Sequence, residues 1–82
     1  MTAVTELDIR GMMVDEGTVM LDKFIDDAVM ASLKTISVIH GKGTGALRSG
    51  IHAYLKNNKF VKSYRLGSYG EGDSGVTIIE LK

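Results

Sequence analysis

Strand-like and helix-like segments alternate along this chain, and the alternation leaves few folds open to it. Polar and apolar residues alternate in Thr5–Arg10, which predicts a strand that packs Leu7 and Ile9 against a core. From Val14 to Leu33 the apolar residues recur every three or four positions, which predicts an amphipathic helix. The residues expected on its inward face are Gly17, Met20, Leu21, Phe24, Ala28 and Ala31.

The rest of the chain predicts three more strands and a second helix. The β-branched run Thr35–Ile39 is typical of a buried strand, and strands are also predicted at Val61–Leu66 and Val76–Leu81. The second helix is predicted at Ala46–Asn58 with Thr44 as its N-cap. Its expected inward residues are Leu47, Ile51, Tyr54 and Leu55, and Gly50 allows another backbone to approach closely.

The predicted element order is therefore β-α-β-α-β-β. Right-handed crossovers make the first three strands run in the same direction, and the fourth returns antiparallel. The expected fold class is α/β, in the α+β sense: a two-layer sandwich of a mixed four-stranded sheet with both helices on one face. At 82 residues the chain is one domain. We expect this domain at residues 5–82 and a disordered start at residues 1–4.

Several classes of protein are excluded by what the sequence lacks. The chain has no cysteine, which excludes disulfides and thiolate metal sites. No apolar run is long enough to cross a membrane, and the first residues lack the basic start of a signal peptide. A cytoplasmic protein is therefore expected.

The net charge of zero conceals a strong segregation of charge. Residues 1–33 hold seven acids and two bases, for a charge of −5, and residues 67–82 carry −2. Residues 34–66 carry +7 with no acid: their bases are Lys34, Lys42, Arg48, Lys56, Lys59, Lys62 and Arg65. This block predicts a polyanionic partner along one rim of the domain, although ordinary solvated bases would give the same count.

The predicted topology brings three polar stretches to one rim of the sheet. Asp8 and Arg10 end the first strand, His40 ends the second, and the loop at residues 67–75 with Glu71 follows the third. The carboxyl ends of parallel strands share one edge, where ligands of open α/β sheets usually bind. We expect the candidate site at this rim.

The glycine-rich loop at this rim has the composition of an anion site. Glycines at positions 41, 43 and 45 permit close approach of a ligand, and the helix that follows offers free N–H groups. Lys42 and Arg48 add positive charge, and Thr44 lies between them. The spacing matches neither a P-loop nor a dinucleotide fingerprint. A simple tight turn between strand and helix is the alternative.

Phosphodiester hydrolysis would need a water-orienting or proton-accepting group, positive charge and a proton donor. The candidates are Asp8, Arg10, His40 and Glu71, and Asp73 is an alternative acid to Glu71. Asp8 and Arg10 could instead pair only with each other, and His40 could be a core or capping residue. The second histidine, His52, falls outside the apolar stripe of its helix and is expected on the solvated surface.

Three motifs together resemble the small MutS-related family of domains, called Smr. They are Leu7–Gly11, His40–Arg48 and Gly70–Thr77, in the family's order and spacing. The version with Arg10 resembles the C-terminal Smr domain of the second MutS branch, whose parent is a dimeric ATPase linked to recombination suppression. The resemblance implies a fold like the C-terminal domain of bacterial initiation factor three.

The same resemblance implies a nicking endonuclease that acts on DNA, with branched or recombination intermediates as substrates. Asp8 and Arg10 match the first motif, and His40, Gly41, Lys42 and Gly43 match the second. Many members have histidine in place of Arg10, and a guanidinium cannot replace a proton carrier. Proton transfer would then fall to His40, Asp8 or Glu71.

The resemblance leaves cofactor and partners open. Mg²⁺ or Mn²⁺ is a possible cofactor, although no three acids stand at ligand spacing. Related domains act on RNA, and the second MutS branch is tied to ribosomes. A non-catalytic module that binds nucleic acid or the ribosome is therefore an alternative, and a dimerising appendage is a third. We expect a homodimeric parent protein and a monomeric isolated domain.

Overall fold

The computed structural model describes residues 5–82, so the disordered start expected at residues 1–4 lies outside the described residues. Six main elements follow the predicted order: β1 (Glu6–Asp8), α1 (Val14–Met30), β2 (Thr35–Ile39), α2 (Ala46–Lys56), β3 (Val61–Leu66) and β4 (Val76–Leu81). A short 3-10 helix, Asp73–Gly75, leads into β4.

The four strands form one mixed sheet in the order β1-β2-β4-β3. β1 runs parallel to β2, and β4 is antiparallel to both β2 and β3. The first three strands therefore point the same way, as predicted. The fold class, a two-layer α+β sandwich with a mixed four-stranded sheet, is confirmed.

Both helices pack on one face of the sheet. Each strand alternates its side chains between the two faces, and the apolar side chains on this face form the core with those of the helices. The core residues are Ile9 after β1, Ile36 and Val38 from β2, Val61 from β3, Ile79 and Leu81 from β4, Leu21, Ile25 and Ala28 from α1, and Ile51 and Leu55 from α2. Thr35, Ser37 and Glu80 occupy the alternate positions and line the opposite face. No helix within residues 5–82 covers that second face.

Helix α1 ends earlier than predicted and buries a slightly different stripe. Ser32 adopts a left-handed backbone (φ 60°), and its N–H and that of Leu33 bond back to Val29 and Ala28, which closes the helix. Met20 and Ala31 are exposed, contrary to expectation. Ile25, four residues after Leu21, is fully buried instead.

Helix α2 begins at Ala46 as predicted, but its N-cap residue and its last residue differ from the prediction. Its N-cap is Gly45 rather than Thr44, and the Thr44 hydroxyl accepts a 3.3 Å hydrogen bond from the Ala46 N–H. It ends at Lys56, where the Asn58 side chain begins a turn by accepting the Phe60 N–H. No helix within residues 5–82 is long and apolar enough to cross a membrane.

Candidate functional site

The loops after β1 and β2 and the loop before β4 meet at one rim of the sheet. The Gly75 carbonyl accepts hydrogen bonds from the backbone N–H groups of His40 (3.0 Å) and Gly41 (2.9 Å). A β-carbon built at Gly41 would lie 3.5 Å from Cγ of Arg10. The carboxyl ends of β1 and β2 and the 67–75 loop are thus in contact, as the topology predicted.

The glycine-rich loop lines a cleft and carries a row of backbone donors. Gly41, Gly43 and Gly45 all have positive φ angles (83°, 27° and 86°), which only glycine adopts without steric cost. Residues that alternate between left-handed and ordinary backbone direct successive N–H groups to one side, which forms an anion-binding concavity. In this loop and the first turn of α2, six N–H groups have no acceptor within residues 5–82: those of Lys42, Gly43, Thr44, Gly45, Leu47 and Arg48. The cleft has a volume of about 390 Å³ and is lined by residues 11–14 and 40–48.

Two cationic side chains flank this cleft. Arg48 lies over Gly45, where a β-carbon would come 3.0 Å from Nη2. Nζ of Lys42 is 3.9 Å from Oδ2 of Asp73 and is mostly exposed, so this pair is weak and leaves the charge of Lys42 available. Backbone donors with two nearby cations can bind a phosphate group.

The other five bases of the block, at positions 34, 56, 59, 62 and 65, do not line this cleft. Lys56 ends α2, about 16 Å from the glycine loop for a helix of 11 residues, and Lys59 follows it. Arg65 is bound by Glu71, and the backbone of Lys34 bonds to Leu81 at the other end of the sheet. The bases that follow one another along the sequence therefore lie at different places on the folded domain.

Asp8, the last residue of β1, and Arg10, on the loop that follows, form a tight pair. The guanidinium donates to both carboxylate oxygens, with Nη2–Oδ2 at 2.7 Å and Nε–Oδ1 at 3.0 Å. The backbone N–H of Arg10 also donates to Oδ1. The Arg10 side-chain hydrogen bond, followed by this backbone bond, lowers the pKa of Asp8 to about 2. The carboxylate therefore stays ionised at neutral pH, and Arg10 remains beside Gly41.

Glu71 does not join Asp8, contrary to the expectation that both acids serve one ensemble. Its carboxylate binds Arg65 (2.8 and 3.1 Å) and accepts from the hydroxyl (2.7 Å) and N–H (2.9 Å) of Ser68. The hydrogen bond from Arg65 comes first among the causes that lower its pKa. β3 stands three strand intervals from β1, roughly 14 Å. Glu71 stabilises its own loop, and Asp73 is the acid that faces Lys42.

His40 is nearly buried, with 5% of its surface exposed, and both of its ring nitrogens are engaged. Nδ1 lies 2.9 Å from the carbonyl oxygen of Gly41. Nε2 lies 2.8 Å from the hydroxyl of Thr77, which is fully buried on β4. His40 therefore contacts the backbone of the glycine loop directly.

His52 is a residue that sequence reasoning missed. It is half-buried rather than solvated, and its Nε2 lies 2.8 Å from the same Thr77 hydroxyl. Its ring packs against Tyr64, with the ring centres 5.0 Å apart. Burial, followed by the charges of His40 and Arg48, lowers its pKa. The available signal was Thr77: strand alternation places it on the helix-facing side with Ile79, and a buried hydroxyl requires a partner.

The donor set does not form a metal centre made of protein groups alone. No three His, Asp or Glu side chains in the described part of the chain lie close enough together to hold an ion. The two carboxylate oxygens of Asp8 already bind Arg10.

The comparisons with known proteins agree with one another. The family model described as the Smr domain matches residues 7–82. Endonuclease MutS2 of Ruminiclostridium cellulolyticum is 55% identical over 78 residues, and that of Acetivibrio thermocellus is 56% identical over 78 residues. Each alignment covers 95% of this chain but 10% of the relative, so the chain spans about a tenth of the length of these proteins.

Two solved structures have the same fold. The crystal structure of the Smr domain of Thermus thermophilus MutS2 matches with a TM-score of 0.93 and 40% identity, over 96% of this chain and 99% of that one. YdaL, a stand-alone small MutS-related protein from Escherichia coli, matches with a TM-score of 0.89 and 26% identity, over 95% of this chain and 64% of that one.

Proposed function

The chain belongs to the Smr domain family, and on this basis we propose that it binds the phosphates of DNA and cleaves one strand as a nicking endonuclease. The observation that carries the proposal is the row of unbonded backbone N–H groups in the glycine loop between Lys42 and Arg48. Relatives that contain this domain at more than 50% identity are named endonucleases. Its substrates are branched DNA and recombination intermediates, and its parent is a dimeric MutS-like ATPase.

The bound phosphodiester would lie between the loop amides and the two cations. The amides from Lys42 to Gly45 line the cleft and have no acceptor within residues 5–82, so they can stabilise the charge that develops on the phosphoryl oxygens. In this step the oxygen of water bonds to phosphorus and the bond from phosphorus to the leaving oxygen breaks. The water loses its proton to solvent, and the leaving oxygen takes a proton from solvent. Arg10, beside Gly41, adds a fixed positive charge. Asp8 holds that guanidinium in place and orients the attacking water.

The low pKa of Asp8 limits the chemistry it can do. A carboxylate with a pKa of about 2 is a weak proton acceptor near neutral pH, so Asp8 acts by orientation and charge rather than as a strong base. Glu71 acts at a distance, by ordering the loop that carries Gly75. His40 orders the glycine loop through its bond to the Gly41 carbonyl.

A second candidate, a module that binds nucleic acid or the ribosome without cutting, is favoured by a specific observation. Both ring nitrogens of His40 and both oxygens of Asp8 are already hydrogen-bonded within the domain. The loop amides, Lys42 and Arg48 are not engaged in this way, and they suffice for binding a phosphate backbone. RNA would bind at the same cleft, since amides and cations recognise the phosphate of either nucleic acid.

The test is a nicking assay on supercoiled plasmid with the 82-residue chain, with and without Mg²⁺ or Mn²⁺. We expect the wild type to convert supercoiled plasmid to open circles, and Asp8→Ala and Lys42→Ala to lose most of that activity. The matched control is Lys59→Ala, which removes an exposed base at the far end of α2.

Three results would change the proposal. Nicking that survives both Asp8→Ala and Lys42→Ala points to a contaminating nuclease and contradicts the catalytic assignment. Salt-dependent binding without nicking by the wild type supports the binding module. No binding of DNA or of ribosomal RNA contradicts both candidates.

A further inference from the structure

A single buried hydroxyl connects the two histidines of the domain. Oγ1 of Thr77 lies 2.8 Å from Nε2 of His40 and 2.8 Å from Nε2 of His52, and Thr77 has no exposed surface. The two imidazole rings meet edge to face, with their centres 6.2 Å apart. A threonine hydroxyl has one proton, so it can donate to only one of the two rings.

The direction of this hydrogen-bond chain follows from its far end. Nδ1 of His40 faces the carbonyl oxygen of Gly41, which can only accept, so Nδ1 carries a proton. In a neutral ring Nε2 then has no proton and accepts the one from Thr77. The Thr77 oxygen is left as an acceptor, and it takes the Nε2–H of His52. The chain runs from His52 through Thr77 and His40 to Gly41.

The last bond of this chain determines how the glycine loop presents its first donor. The peptide between Gly41 and Lys42 is planar and trans, so its N–H points opposite to its carbonyl oxygen. Because His40 holds the Gly41 oxygen, the Lys42 N–H points away from His40, and it has no acceptor within residues 5–82. This N–H begins the row of donors at the cleft.

We propose that His52 is a positioning residue for the phosphate site: by donating to Thr77 it keeps the Thr77 hydroxyl as the donor to Nε2 of His40, which supports the Nδ1–H tautomer of His40 and so the orientation of the Gly41–Lys42 peptide. This proposal rests on the proposed function in one respect: it assumes that the anion bound in nature is a phosphate of a nucleic acid. His52 lies behind the site and does not touch the bound group.

Charged and titratable groups from several elements surround this hydrogen-bond chain. Tyr64 on β3 and Arg48 on α2 face His52. Arg10 and Lys42 lie beside Gly41, next to His40. Within residues 5–82 no carboxylate is hydrogen-bonded to either imidazole. Burial lowers the pKa of His52, which favours the neutral form of its ring.

The first test needs no substitution. Long-range ¹H–¹⁵N spectra of the wild-type histidine side chains at pH 7.5 report which ring nitrogen carries the proton. We expect His40 as the Nδ1–H tautomer and His52 as the Nε2–H tautomer. The Nε2–H tautomer of His40, or rapid exchange between both tautomers in either ring, would overturn the proposal.

The second test compares two substitutions at His52. His52→Phe keeps a ring beside Tyr64 but removes the donor, whereas the amide of His52→Gln can still donate to Thr77. We monitor the amide resonances of Lys42–Gly45 during titration with inorganic phosphate. His52→Phe removes the hydrogen bond from His52 to Thr77 and should therefore mix the His40 tautomers. Because the Lys42 N–H is then held less firmly, we expect phosphate binding to weaken about tenfold, which corresponds to the contribution of one hydrogen bond. His52→Gln should stay within about twofold of the wild type, by the same reasoning.

Unchanged phosphate binding and an unchanged His40 tautomer in a folded His52→Phe would contradict the positioning role. If His52→Phe does not fold, the tautomers of the wild-type histidines and the phosphate binding of His52→Gln still test the positioning role. If the wild type binds inorganic phosphate at these amides but binds no DNA or RNA, the proposed function fails and the positioning role stands.

Discussion

The carboxylates of Asp8 and Glu71 each lie against one arginine, and this local pairing decides what they can do. Asp8 is held by Arg10, two residues away, and Glu71 by Arg65, six residues away. Both pKa values are lowered by hydrogen bonds to the ionised form rather than raised by burial. Neither acid is therefore poised to exchange protons near pH 7.

Arg10→Ala tests this pairing at the residue scale. The pKa of Asp8 should rise from about 2 toward its ordinary value of about 3.9, but only part of the way, because the backbone N–H at position 10 remains. A lowered pKa stabilises the folded state above about pH 4, and this contribution is lost as the pH falls through about 2. The variant should therefore show a weaker dependence of its unfolding free energy on pH in that range.

Carboxyl chemical shifts followed against pH measure the change. The matched control is Arg65→Ala, which should raise the pKa of Glu71 and leave that of Asp8 unchanged. A pKa of Asp8 that remains near 2 in Arg10→Ala would contradict the assignment of Arg10 as its main cause.

At the scale of elements, the contact between the two helices positions the start of α2 at the rim. Gly50 on α2 faces Val14, the first residue of α1, and a β-carbon at Gly50 would overlap a methyl group of Val14. Tyr54, one turn later, donates a 2.5 Å hydrogen bond to Asp22 of α1. Burial, followed by this hydrogen bond, raises the pKa of Tyr54 to about 12. α1 thereby holds the helix whose first turn carries Arg48.

Gly50→Ala tests this contact. In an exposed helix the change from glycine to alanine stabilises by about 0.5–1 kcal/mol. Here the added methyl group collides with Val14, so we expect a loss of about 1–3 kcal/mol in the free energy of unfolding. Urea unfolding measures it. The double variant Val14→Ala, Gly50→Ala should recover much of the loss, and a Gly50→Ala chain as stable as the wild type would show that the helices are not in contact there.

At the scale of the whole molecule, folding divides one basic stretch of sequence between different surfaces. Lys42 and Arg48 flank the glycine loop, whereas Lys56 and Lys59 lie at the opposite end of α2. Arg65 is neutralised by Glu71. Two of the seven bases of this stretch therefore lie at the cleft, and we expect it to act as a local anion site rather than as part of a continuous basic rim.

The salt dependence of DNA binding tests this division. Lys42→Ala and Arg48→Ala should each weaken binding and reduce the slope of log K against log salt by about 1, because each removes a phosphate contact. Lys56→Ala and Lys59→Ala are the matched controls and should leave both quantities unchanged. Equal effects of all four substitutions, measured by fluorescence anisotropy, would indicate diffuse electrostatic binding instead of a localised site.

The sequence by itself determined the elements and their directions. The spacing of apolar residues and the β-branched runs reflect the geometry of single strands and helices, so β2, β3 and β4 have the predicted bounds. The right-handed crossover rule predicted that β1, β2 and β3 run in the same direction. The glycines at positions 41, 43 and 45 likewise indicated a loop that a ligand can approach closely, and all three have positive φ angles. Helix ends were less predictable, because capping by Gly45 and Ser32 depends on the backbone conformation of one residue.

Only the tertiary structure decided which side chains meet. β4 lies between β2 and β3, which separates Glu71 from Asp8, and no local pattern specifies that order. The bond from His52 to Thr77 joins residues 25 positions apart, and helical spacing alone assigned His52 to solvent. Contacts of this kind depend on how a helix packs on the sheet. That packing involves many side chains that are far apart in the sequence, so no single stretch of sequence determines it.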